Sequence, residues 1–112
     1  MKIVTLDFYG LKPDFIKIDT EGFEGEVLDG AIETIRSSLP SILMELNGLS
    51  EKLYSISKGS IITKLLDLGY FVYKVNRNHV FRYQTLEQAE VSRFCDYLFL
   101  HPSKYECKFY YV

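Results

Sequence analysis

Residues 14–30, DFIKIDTEGFEGEVLDG, constrain the fold more tightly than any other stretch. Phe15, Ile16 and Ile18 are the aromatic and β-branched residues of a strand, and their near-continuous apolar run suits a parallel strand covered on both faces. The run ends in a burst of carboxylates and glycines. Asp19, Glu21 and Glu24 fall where such a strand turns into a helix, and open α/β sheets place ligands outside the carboxyl ends of their strands. Side chains alternate across a strand, so Lys17 and Asp19 share one face while Ile16 and Ile18 share the other.

The rest of the chain reads as support for that turn. Ile3, Val4 and Leu6 belong to a short strand or extended lead-in, which Gly10 and Pro13 end. Phe23, Val27, Leu28, Ala31 and Ile35 recur at helical spacing, predicting a helix over 22–36 that Gly30 bends or divides, because a glycine inside a helix needs a packing reason. Pro40 stops it, and 41–46 is the next strand, with Glu45 an intruder near its carboxyl end and Asn47-Gly48 closing it. Helical spacing returns at Leu49, Leu53 and Ile56, breaks at Lys58-Gly59-Ser60, and resumes from Ile61, with Ser60 as N-cap and Gly69 just past the end. Residues 70–75 form a strand that Arg77-Asn78 turns into a shorter one over 80–83; 86–94 is a weakly periodic helix, and 96–100 the last strand. Strand, helix, strand, helix, strand in this order predicts an α/β fold with a parallel sheet and right-handed crossovers. The tail, 108–112, is aromatic and gives no reading.

A length of 112 residues makes one domain, and 47% hydrophobic with 15% aromatic residues is enough for a core. Thirteen basic against fifteen acidic residues, a net charge of −2 with the signs interspersed, leave no basic stripe for nucleic acid. No run approaches the roughly 20 apolar residues of a membrane span. Asp7 interrupts the start before an apolar signal segment forms, so the expected compartment is the cytoplasm. Cys95 and Cys107 have no metal-binding spacing and read as free thiols, and His79 and His101 as surface residues.

Asp19 and Glu45 close two strands that should be parallel neighbours, roughly 4.8 Å apart along the hydrogen-bonding direction, so their carboxylates can share one site. Such a pair binds a divalent cation through oxygen, or raises the pKa of one member so that it serves as a general base. The plainer reading is that Asp19 caps the following helix while Glu45 pairs with Lys17 or a backbone amide. Glu24 and Glu26 read as a solvated helix face near a helix N-terminus. Lys17, costly in an apolar strand without a partner, is expected to pair with Asp19 and orient it. EGFEG lacks the G-x-G-x-x-G spacing of a phosphate-binding loop.

KIDTEGFEGEVLDGA followed by PSILMEL resembles the second half of the FkbM-type methyltransferase family, from Thr5-Leu6-Asp7 to the strand ending at Leu100, most weakly after Val75. The resemblance implies a partial Rossmann-like class I methyltransferase sheet, with the last strand inserted antiparallel beside the parallel ones. It implies S-adenosylmethionine as methyl donor and a hydroxyl group on a small molecule or glycan as acceptor. It also makes Glu21 and Gly22 part of the signature. Asp19 and Glu45 are then expected to be catalytic, with Lys17, Glu21, Gly22 and Asn47 on the acceptor side or orienting it. The family's glycine-rich donor loop lies upstream of this motif and is not among these residues, so the chain is expected to be a carboxyl-terminal half, inactive alone, whose first strand has a bare edge open to self-association. The rival expectation is a non-catalytic α/β module that joins another chain through that edge.

Overall fold

A computed structural model describes residues 4–76, 79–91 and 95–104. Strand β1 (Phe15–Ile18) runs parallel to β2 (Ser41–Leu46), with Ile18 opposite Met44. The next strands are β3 (Phe71–Asn76), β4 (His79–Arg82) and β5 (Cys95–Leu100), and the five lie in the order β1-β2-β5-β3-β4. β5 is antiparallel to both β2 and β3, the insertion implied by the family resemblance. The all-parallel pattern read from element order needs correction: β1–β2 is the one parallel neighbour pair, because β5 separates β2 from β3 and a hairpin adds β4 antiparallel at the far edge.

Alternation along β2 is clean: Ile42, Met44 and Leu46 are buried and Ser41, Leu43 and Glu45 half-buried. The buried set joins Ile18, Val72, Tyr97 and Phe99 in a core closed by Leu28, Ala31, Ile35, Ile61, Ile62, Leu65 and Ala89. Those helical residues come from α1 (Glu24–Asp29), α2 (Ile32–Ser38) with its N-cap Ala31, α4 (Lys58–Asp67) and α5 (Leu86–Val91). Each fully buried Ile or Leu contributes about 1.5–3 kcal/mol, so this layer of helices on one face holds the sheet in shape. Two buried tyrosines keep their hydroxyls satisfied, Tyr70 donating to the Pro40 carbonyl (2.8 Å) and Tyr97 to that of Ala89 (2.7 Å). No helix among the described residues is long and apolar enough to cross a membrane.

The helix expected over 22–36 is divided at Gly30, as its glycine foretold. A Cβ there would lie 3.0 Å from Thr5 Cγ2, and the Gly30 carbonyl accepts from Asp7 N–H at 2.9 Å. The lead-in is therefore not a strand where it is described. Leu6–Tyr9 forms a 3₁₀ turn seated on the α1–α2 junction. Helix α4 starts earlier than expected. Its N-cap is Ser57, whose hydroxyl accepts from Ser60 N–H at 3.1 Å, and Gly59 is its second residue, lying beside the Glu90 side chain of α5. Gly69 closes α4 in the left-handed conformation (φ 93°), with Tyr70 N–H bonded to Leu65 O and Gly69 N–H to Leu66 O, a Schellman arrangement. The expected Arg77-Asn78 turn, Cys107 and the tail lie outside the described residues.

Candidate active site

The site is built by register. Ile18 pairs with Met44, so the residues that follow, Asp19 and Glu45, leave the two parallel strands side by side. Glu45 in turn stands opposite Asp96 of β5. Three neighbouring strands thus bring a carboxylate each to one end of the sheet, with Glu21 close behind in the β1–α1 turn.

Glu45 records the crowding. Its carboxyl is pushed above its ordinary value, first by the negative charge of Asp19, then by partial desolvation, then by a hydrogen bond to Asp19, with smaller pushes from Asp96 and Glu21. Two carboxyl groups can share a hydrogen bond only if one keeps a proton, which is how the contact with Asp19 favours the protonated form of Glu45. A carboxyl held above its usual range beside an ionised partner is suited to taking or giving a proton.

The plainer reading of these residues meets a different geometry. Helix α1 starts at Glu24 with Phe23 at its N-cap and no side-chain cap, so Asp19 does not cap it. Lys17 is exposed, and the expected Lys17–Asp19 ion pair is absent among the described residues, where lysines pair instead as Lys64–Asp29 and Lys104–Asp14. Asn47 turns inward on the backbone: its Oδ1 accepts from Leu49 N–H at 3.1 Å, fixing the start of α3 (Leu49–Tyr54). Glu21 occupies the left-handed region (φ 54°), unusual for a residue with a side chain, and Gly22 follows at φ 104°. Gly22 is also sterically required, since a Cβ would lie 3.1 Å from Leu49.

Two residues escaped the sequence reading. Asp96 joins the cluster only through the β2–β5 register, which no local pattern encodes. Glu24, read as solvated, is only 2% exposed, and one Glu26 oxygen is buried as well. The signal for Glu24 was available: it precedes Leu28 by four residues and Ala31 by seven, on the stripe that packs inward.

No group of three or more His, Cys, Asp or Glu among the described residues is arranged to hold a metal, so the divalent cation finds no ligand set here. An apolar cavity of about 310 Å³ between the lead-in and α1 is lined by Phe23, Glu26 and Val27 among others, and does not include Asp19 or Glu45.

An open mixed α/β sheet brings Asp19 and Glu45 together at its strand ends. Residues 4–83 match the methyltransferase FkbM domain, and the chain belongs to that family. Membership points to methyltransferase activity. No curated protein and no solved structure matches the chain significantly.

Proposed function

We propose that this chain supplies the acceptor side of an S-adenosylmethionine-dependent methyl transfer to a hydroxyl group on a small molecule or glycan, in a Rossmann-like methyltransferase fold. The observation that carries the reading is the Asp19–Glu45 pair, with Glu45 held above its ordinary range by its neighbour. A hydroxyl is a poor nucleophile until its proton is removed, and a positioned carboxylate contributes about 10²–10⁴-fold by removing it. Glu45 or Asp19 takes that proton, the pair's shared charge making the base stronger than an isolated carboxylate. S-adenosylmethionine supplies the methyl group when bound. Glu21 lines the approach from the turn, and Lys17, exposed on the same strand face as Asp19, orients it at longer range.

The test, made with a donor-binding half restored to the chain, is transfer of labelled methyl from S-adenosylmethionine to a panel of hydroxyl-bearing acceptors, glycans included. Asp19→Asn and Glu45→Gln should each lower turnover by about 100-fold or more with the fold retained. Wild-type turnover in both would leave the pair without a chemical role.

One observation favours a second reading, a non-catalytic module. Among the described residues β1 pairs only with β2, and Phe15 is 54% exposed. An unpaired apolar strand edge is a template for another chain.

A further inference from the structure

We propose that Glu24 is a positioning residue: its buried carboxylate holds the Glu21–Gly22 turn and, through that turn, sets the two strand ends that carry Asp19 and Glu45. This rests on the reading of that pair as the acceptor-side base. The turn that follows Asp19 needs holding. Glu21 and Gly22 are consecutive left-handed residues, and the turn is closed by a long Phe23 N–H to Thr20 O bond of 3.4 Å. Non-glycine residues persist in that region only where their surroundings over-determine them.

Glu24 provides the constraint. Its Oε1 accepts from Gly22 N–H at 3.3 Å, within the protein interior. Gly22 lies against Leu49, Leu49 N–H is held by Asn47 Oδ1, and Asn47 is two residues beyond Glu45. Gly25, next to Glu24, is packed as tightly on the other flank, where a Cβ would lie 3.2 Å from Ile56 Cδ1. A continuous chain of contacts therefore runs from Glu24 through the β1 turn to the β2 turn. The second oxygen of Glu24 is also buried and has no partner among the described residues. An orphaned buried carboxylate oxygen destabilises a fold, so packing alone favours an apolar side chain here. A residue that departs from the local rules beside a candidate site is the pattern expected of a functional constraint.

The experiment follows Gly22 amide exchange and the Glu45 carboxyl titration by NMR in the wild-type chain and in Glu24→Leu, Glu24→Asp and Glu24→Gln, with thermal unfolding in parallel. Leucine removes the acceptor, aspartate keeps the charge but falls one methylene short, and glutamine keeps an acceptor oxygen in place. Glu24→Leu and Glu24→Asp should speed Gly22 exchange by about tenfold or more and bring Glu45 down toward its ordinary value as the Asp19 contact loosens, while Glu24→Gln retains both wild-type behaviours. If leucine prevents folding, the aspartate and glutamine pair decides. Unchanged exchange and titration in Glu24→Asp, or loss of both in Glu24→Gln, would overturn the proposal. Neither readout depends on methyl transfer, so an inactive chain would sink the proposed function while leaving this result standing.

Discussion

Asp7 and Glu45 are both half-buried carboxylates at element ends, and their surroundings differ in one respect: Asp7 faces donors and Glu45 faces other carboxylates. Asp7 Oδ1 accepts from Thr34 N–H (2.8 Å) and the Thr34 hydroxyl (2.7 Å), and Oδ2 from Glu33 N–H (3.1 Å), so it caps the first turn of α2 from 26 residues upstream. Desolvation pushes the Asp7 carboxyl upward, but its hydrogen bonds to Thr34 and Glu33 outweigh this and leave it below its ordinary value. Glu45 lies above its ordinary value because Asp19 leads the influences on it. The contrast separates two uses of charge. Where both oxygens meet donors, the carboxylate stabilises the fold; where like charges are held together, the fold carries a cost that stability alone does not explain.

The contrast can be broken by substitution. Asp7→Ala should lower unfolding stability by about 1–2 kcal/mol at neutral pH, the upper range for loss of a helix cap, since two backbone donors and a hydroxyl lose their partner together. Glu45→Gln at the same pH should leave stability unchanged or raise it, because it removes repulsion and no favourable ion pair. Denaturant unfolding of the two variants checks both signs. Equal destabilisation by both would erase the distinction.

Acid titration sharpens it. Asp7 has a depressed folded-state value, so its contribution is present above its unfolded value and disappears as pH falls through the folded one. The deficit of Asp7→Ala should therefore shrink on acidification. Glu45 has a raised folded-state value, so the cost of ionising it is absent below its unfolded value and grows as pH rises through the folded one. Any gain in Glu45→Gln should then appear only toward neutral pH. Melting curves from about pH 3 to 7, spanning the ordinary carboxyl range, should move the two variants in opposite senses relative to wild type.

Much of this arrangement was legible in the sequence because it is local. Residues 41–46 form a strand because an apolar run, broken only by Glu45, lies between Pro40 and Asn47-Gly48, and Gly30 divides a helix because a glycine there demanded a reason. The adjacency of Asp19 and Glu45 followed from two strand ends in parallel. What could not be read depends on register or distant contact. Asp96 reaches Glu45 by cross-strand pairing, and Asp7 caps a helix far along the chain. Ser57, three residues ahead of Ser60, takes the cap because its hydroxyl accepts from Ser60 N–H.

A smaller and separate effect concerns the edge of β1. The described lead-in docks on the α1–α2 junction and does not pair with β1, so self-association through Phe15–Ile18 is our expectation at micromolar concentration. The Asp14 carbonyl accepts from Ser41 N–H at 2.9 Å, so residues 14, 16 and 18 turn their backbone toward β2 and Lys17 turns its own toward the open edge. Lys17→Pro should weaken association by removing an edge donor, as read by light scattering beside circular dichroism to verify the fold. A monomer at high concentration would show the edge to be protected and would weigh against the associating module.

The account turns on the Asp19 charge holding Glu45 above its ordinary range, and the most direct measurement is the Glu45 side-chain carboxyl titration by NMR in wild type and in Asp19→Asn. The prediction is a wild-type Glu45 that titrates above the ordinary glutamate range and falls toward it once the Asp19 charge is removed. A wild-type Glu45 within that range, or a raised one that Asp19→Asn leaves in place, would contradict the claim that this pair is the chemical centre of the domain.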